Sequence, residues 1–265
     1  MKSEFEELGV CVLIPTYNNE KTLEQVIRDV LEYCNDVIVV NDGSTDNTQF
    51  ILSKFNQIKA IGYSNNTGKG YALQKGFECA KSLNFKYCIS IDSDGQHKAS
   101  DLPVFLNALK ENPDALIVGA RNMNQKGIPG KSSFGHRFSN FWFHFETGLK
   151  LPDTQSGFRL YPVNKISEFS FFTKKYEFEI EVLVKSVWNG IDVISCPIQV
   201  FYAEGKERIT HFRPFKDFTR ISILNTYLVL LAIIYYRPKL FFRSIKKKTL
   251  DKSYGSKFSL QMNRI

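Results

Sequence analysis

Tyr87-Cys88-Ile89-Ser90-Ile91-Asp92-Ser93-Asp94-Gly95-Gln96-His97 joins a short apolar run to a polar turn that carries two carboxylates at positions i and i+2. An apolar run of this length, closed by a turn signal, reads as a buried strand. The turn then presents hard oxygen donors just beyond the strand's carboxyl end, an arrangement suited to Mg²⁺ or Mn²⁺ that keeps open positions for phosphates. A calcium loop also begins Asp-x-Asp, but its twelfth position here is Pro103 rather than a bidentate Glu.

Outward from this stretch the pattern repeats. Strands are expected at Val10 to Ile14, Val37 to Asn41, Ile58 to Tyr63, Tyr87 to Ile91 and Ala115 to Gly119. Helices are expected between them at Lys21 to Tyr33, Asn47 to Lys54, Gly70 to Ser82 and Asp101 to Glu111. In the first helix Leu23, Val26, Ile27, Val30 and Leu31 recur at helical spacing, giving one face to pack on a sheet. Alternation of this kind predicts βαβ units and a mainly parallel α/β sheet, with functional residues in the loops after the strands. Two further strands do end in polar clusters: Pro15-Thr16-Tyr17-Asn18-Asn19-Glu20 and Asn41-Asp42-Gly43-Ser44-Thr45-Asp46. Turn chemistry and helix capping account for some of these residues, Asp46 above all, ahead of the next helix. After Gly119 an aromatic helix is expected at Phe134 to Leu149, then a helix at Glu177 to Trp188, a strand at Asp192 to Cys196 and a short strand near Gln199 to Tyr202.

The 265 residues carry 35 Lys and Arg against 27 Asp and Glu, a formal charge of +8. Nine of the basic residues and one acid, Asp251, lie from Arg237 onward, leaving 26 of each sign before it. A nucleic-acid groove needs its cations on the folded body, so the neutral body argues against nucleic acid as a partner. Five widely spaced cysteines without a CxxC pair suit buried thiols in a reducing compartment. The first ten residues, with three glutamates, do not read as a secretory signal. From Ile221 to Tyr236 no charge occurs; sixteen residues are short of the roughly 20 a membrane span needs. Followed by Arg237, Lys239 and Lys246 to Lys248, this segment suits an anionic membrane interface, a buried helix or a dimer contact. The expected division is a catalytic domain over 1–215 and a membrane-associating helix and tail over 216–265.

The ordered motifs PTYNNEKTL, VVNDGSTDNT, NNTGKGYAL, IDSDGQH, VGARN and DTQSGFR resemble family 2 glycosyltransferases of GT-A fold, nearest the dolichol-phosphate and polyprenyl-phosphate sugar synthases. The resemblance spans residues 8–215. It departs at Asn41-Asp42, where the family often has two aspartates, and at the C-terminus, which lacks the paired transmembrane helices of some relatives.

The resemblance implies a GT-A sheet, a nucleotide-diphosphate sugar donor, a Mg²⁺ or Mn²⁺ cofactor and inversion at the anomeric carbon. Pro15, Thr16, Tyr17 and Glu20 are then expected at the nucleoside, Asp42 at base or ribose, and Lys69 and Ser93 at the donor. Asp92 and Asp94 match the family's metal-diphosphate pair, with Gln96 as a further ligand and His97 in a supporting role. Lys69 sits near a helix N-terminus, which favours anions. Arg121 and Arg137 are candidates for holding a phosphate, since guanidinium binds phosphate bidentately. Asp153 stands where relatives with hydroxyl acceptors place a general base, a role an already ionised lipid phosphate does not require; it is then free to orient Arg159 or the acceptor. Glu177 and Glu179 are explained by the dipole of the helix they begin. Arg208, His211 and Arg213 are candidates for a basic loop meeting the lipid phosphate. The expected acceptor is a polyprenyl or dolichyl phosphate at the cytoplasmic membrane face. A glycan or glycolipid hydroxyl is the second possibility, and a non-catalytic nucleotide-sugar scaffold the third. The sequence leaves the sugar, the base and the oligomeric state open.

Overall fold

The computed structural model describes residues 2–122, 130–200 and 213–238. It begins α1 (Lys2–Leu8), β1 (Val10–Thr16), α2 (Leu23–Tyr33), β2 (Val37–Asp42), α3 (Thr48–Leu52) and β3 (Lys59–Tyr63). Next come α4 (Lys69–Ser82), β4 (Tyr87–Ser90), α5 (Leu102–Glu111), β5 (Leu116–Arg121) and α6 (Gly130–Thr147). The chain then forms β6 (Arg159–Pro162), α7 (Val163–Ile166), α8 (Phe178–Trp188), β7 (Val193–Ile198) and α9 (Pro214–Leu231), which continues through a π turn, Ala232–Tyr236.

The strands make one sheet in the order β3-β2-β1-β4-β6-β5-β7. All pairs are parallel except those of β6, which runs antiparallel to β4 and β5. Every residue of β1 and β2 is buried, as expected of strands covered on both faces. Alternation along β1 splits the core in two. Val10, Val12 and Ile14 pack with α2 and α5, and Cys11 and Leu13 pack with α4 and α8. On the second side α4 comes so near that a Cβ on Gly76 would lie 2.4 Å from Leu13. Leu224, Leu228 and Ala232 of α9 belong to this second cluster, so α9 is continuous with the core of the body.

The expected elements are present, with ends shifted by a few residues. β6 is additional: Arg159-Leu160-Tyr161-Pro162 reads as a motif end in sequence, but becomes a buried strand between β4 and β5. The apolar C-terminal segment is also longer than its uncharged stretch implies. Its helix starts at Pro214, and Phe215–Tyr236, which contains an 18-residue window of mean hydropathy 1.6, is by length and composition long and apolar enough to cross a membrane. Only Val200, bridged to His97, represents the short strand expected at 199–202 among the described residues; 201 and 202 lie outside them. All five cysteines are unpaired, four of them buried.

Candidate active site

The loops after β1, β2 and β4 converge on a cleft of about 510 Å³. Pro15, Thr16 and Tyr17 reach it from the end of β1, Asp42 from the end of β2, and Asp92, Ser93, Asp94 and Gln96 from the turn after β4. Lys69 enters at the start of α4, while Lys175, Tyr176 and two residues at the start of α9, Arg213 and Asp217, form the remaining wall.

Short polar links hold these loops in register. Asn19 Nδ2 donates to Ser93 Oγ at 2.6 Å and Thr22 Oγ1 to the Ser93 carbonyl at 2.7 Å, tying the loop after β1 to the paired aspartates. The Asp42 carboxylate accepts the backbone N–H groups of Thr67 and Gly68, at 2.7 and 2.9 Å, and the Asn66 amide at 2.9 Å. Gly68 holds φ at +121°, a conformation glycine adopts without strain, so the loop can fold onto that carboxylate. Asp46 acts as the expected cap, accepting from Thr48 N–H at 3.0 Å.

The electrostatic centre is a three-member cluster. Lys69 Nζ lies 2.6 Å from Asp92 Oδ1 and 3.1 Å from Glu179 Oε1. Burial pushes the Asp92 carboxyl up, but the ammonium beside it outweighs burial and holds it below the usual range. For Lys69 burial acts downward, and its two carboxylate neighbours reverse that, so it stays charged. Gly157 covers the cluster, where an added Cβ would stand 2.5 Å from Lys69 Nζ and 2.6 Å from Asp92 Oδ2. That approach is fixed by fully buried Arg159, whose guanidinium donates to the carbonyls of Ser156, Thr154 and Glu179 at 2.6 to 2.9 Å. Burial lowers His97 to about 4, leaving it neutral, and its ring packs against Phe158 at 5.3 Å. This suits the supporting role expected for it.

Several expected site residues lie apart from the cleft lining. Asp153 is fully buried and paired with Arg121 through contacts of 2.6 and 3.1 Å; His136 Nε2 stands 3.7 Å away. Burial pushes the Asp153 carboxyl up, yet the Arg121 guanidinium holds it below its usual range. Arg121, rather than Arg159, is therefore its partner. Glu20 accepts from the Asn47 N–H and amide at 3.0 and 2.8 Å, joining the loop after β1 to α3. Arg137 is exposed on α6. Arg208 and His211 lie outside the described residues.

Lys175, Tyr176 and Asp217 in the cleft wall, and Glu179 paired with Lys69, are residues that the sequence did not single out for this role. The acids at the start of α8 have a sufficient explanation in the helix dipole, and no spacing rule links Glu179 to Lys69, 110 positions away.

A family model described as glycosyl transferase family 2 matches residues 11–169, more than half of the chain. The chain belongs to glycosyl transferase family 2. Among curated proteins it is 27% identical over 217 residues to UDP-N-acetylglucosamine--dolichyl-phosphate N-acetylglucosaminyltransferase of Methanococcus voltae, covering 74% of this chain and 86% of that one. It is 28% identical over 238 residues to dolichyl-phosphate beta-glucosyltransferase of Saccharomyces cerevisiae, covering 76% of this chain and 70% of that one. Glucosyl-3-phosphoglycerate synthase of Mycobacterium tuberculosis, solved with Mn²⁺, UDP-glucose and phosphoglyceric acid, superposes with a TM-score of 0.63 at 18% identity, covering 87% of this chain and 81% of that one. The GT-A fold is thereby shared, and the family 2 protein described here is a glycosyltransferase.

The donor set at the cleft fits a hard divalent cation. Asp92 and Asp94 supply two carboxylates, and no group of three or more His, Cys, Asp or Glu side chains suited to a metal occurs among the described residues. Magnesium is commonly held in this way, by one or two carboxylates with substrate phosphates and water completing its shell.

Proposed function

We propose that this glycosyltransferase moves a sugar from a nucleoside-diphosphate sugar to a polyprenyl or dolichyl phosphate, with inversion at the anomeric carbon, at the cytoplasmic face of a membrane. Pro15, Thr16, Tyr17 and Asp42 form the nucleoside end of the cleft, and Lys69, Asp92 and Asp94 its diphosphate end. Asp92 and Asp94, with Gln96 nearby, would hold a Mg²⁺ or Mn²⁺ ion, which would supply positive charge for the departing diphosphate. Lys69 contributes a fixed positive charge at the same place. Arg213, at the cleft wall, is the described cation best placed for an acceptor phosphate.

The observation that carries the choice of acceptor is the state of Asp153. A hydroxyl acceptor needs a base with an accessible carboxylate of suitable pKa. Asp153 is fully buried, paired with Arg121 and held below the usual carboxylate range. A phosphate acceptor is already an anionic nucleophile, so its attack requires no proton transfer to Asp153. The curated relatives named for dolichyl-phosphate transfer support the same reading.

The test is transfer from a panel of UDP-, GDP- and dTDP-sugars, with Mg²⁺ or Mn²⁺, to polyprenyl phosphate and to glycolipid hydroxyl acceptors. A sugar-phosphate-lipid product is expected. Turnover on hydroxyl acceptors alone overturns the acceptor, and binding of nucleotide sugar without turnover on any acceptor favours a scaffold.

A further inference from the structure

We propose that the outer stripe of α9 is a docking face for an anionic bilayer, and that docking sets the mouth of the cleft at the level of the lipid headgroups. Ile223, Tyr227, Leu230 and Ile234 fall at i, i+4, i+7 and i+11, one line along the helix, and all four are exposed, Ile234 by 74%. The opposite line, Leu224, Leu228 and Ala232, is buried in the body. A helix with one face bound to protein is not surrounded by lipid on all sides, so it lies along the interface with its other face in the headgroup boundary.

Charge identifies the occupant. Lys216 is exposed, and helical spacing puts it at the start of the same stripe; Arg237, exposed at the far end of the helix, donates to the Phe145 carbonyl at 2.7 Å and lies over that ring at 4.5 Å. The acid of this helix, Asp217, is 1% exposed and turned into the cleft, with Arg220 at 3.3 Å. The outer face is therefore apolar with Lys216 at its start, and beyond Arg237 residues 239–265 add eight Lys and Arg against one Asp. Each cation near an anionic leaflet strengthens that attachment. A second copy docked antiparallel on this stripe instead brings each Lys216 toward the basic C-terminal end of the other copy.

Two elements connect the stripe to the cleft. The first turn of α9 supplies Asp217 to the cleft wall. Phe172, itself exposed, packs its ring on Tyr227 at 5.1 Å, and the same segment continues to Lys175 and Tyr176 in the wall. An amphiphile whose phosphate lies in the cleft thus has its chain beside the apolar stripe.

The experiment compares the full chain with Ile223→Gln/Leu230→Gln/Ile234→Gln in cosedimentation with vesicles of equal parts phosphatidylcholine and phosphatidylglycerol. The substituted positions are exposed, and unchanged melting and circular dichroism confirm folding; Ile234→Gln alone serves as a milder variant. The triple variant is expected to lose about tenfold or more in vesicle binding while keeping its affinity for nucleoside diphosphate. Vesicle binding equal to wild type, or absent in both, overturns the proposal. So does a wild-type dimer in solution that the substitutions dissociate, which makes the stripe a contact between copies.

The orientation of the cleft rests on the lipid-phosphate reading and has its own arm. The triple variant is expected to lose turnover on polyprenyl phosphate in vesicles but keep it on a short-chain, water-soluble prenyl phosphate. Equal loss on both overturns the orientation. If neither acceptor is used by wild type, the acceptor assignment fails while vesicle binding still decides the docking face.

Discussion

Lys69 Nζ sits 2.6 Å from Asp92 Oδ1, so the ammonium already occupies one side of the carboxylate proposed to hold the divalent ion. Glu179, 3.1 Å from the same nitrogen, offers it a second seat. On that proposal, lysine and metal compete for Asp92 without nucleotide and cooperate once a diphosphate needs both charges. Lys69→Met is expected to tighten Mn²⁺ binding in the absence of nucleotide by about tenfold, equivalent to ~1.4 kcal/mol, and to weaken nucleoside-diphosphate binding in its presence. Calorimetric titration, or electron paramagnetic resonance of free Mn²⁺, reads both quantities. Weaker Mn²⁺ binding without nucleotide would show that Lys69 supports the ion rather than competing with it.

Gly157→Ala probes the same cluster from above. The added methyl meets Lys69 Nζ and Asp92 Oδ2 at 2.5 and 2.6 Å, inside van der Waals contact, and one of these groups must shift. Arg159 holds the loop from three carbonyls and limits any retreat. Affinity for nucleoside diphosphate with Mn²⁺ is expected to fall by about tenfold or more, with a much smaller change in melting temperature. An unchanged affinity would mean that the cluster's spacing is not critical for the donor.

The parts of this site legible in sequence are those encoded within a strand and the turn that follows it. Asp42, Asp92 and Asp94 each stand a few residues from the apolar run that positions them, and the order of the motifs then fixed the fold class. Glu179 escaped because its role depends on α8 packing over the start of α4, a long-range contact with no periodic signature. β6 escaped for a related reason. Its four residues form a strand because β4 and β5 leave an antiparallel gap between them, and local propensity carries little of that information. The sequence assigns residues from 216 onward to a membrane-associating tail, yet Asp217 lines the cleft beside Arg213, an expected acceptor cation.

Asp153→Asn separates the two acceptor chemistries. General-base assistance is typically worth 10²–10⁴-fold, so a hydroxyl-transfer enzyme loses that much turnover when its base is replaced. For phosphate transfer the loss per folded molecule is expected to stay within about tenfold, arising from the misplaced Arg121 rather than from proton transfer. The melting temperature falls in either case, because Arg121 loses a buried partner. Initial rates at saturating donor, corrected for folded fraction, distinguish the outcomes; a loss beyond a hundredfold rules out the phosphate reading.

Glu146 gives the fold a pH dependence of its own. It is 1% exposed on α6, neither carboxylate oxygen has a hydrogen-bond partner among the described residues, and burial pushes it up to about 8. Its folded pKa lies above the ordinary value of 4.5, so the folded state retains the proton where the unfolded chain has released it. The associated stability is complete below about 4.5 and is lost as pH rises through 8. Wild-type melting is therefore expected to decline between pH 7 and 9, a window in which His97 is neutral in both folded and unfolded chains. Glu146→Gln removes the ionisation while keeping the shape, and should melt higher than wild type at pH 9 by about 2–4 °C for each kcal/mol recovered. The gap should narrow toward pH 5. Parallel slopes for the two proteins across that range in a thermal-shift titration would mean that Glu146 does not titrate within the fold.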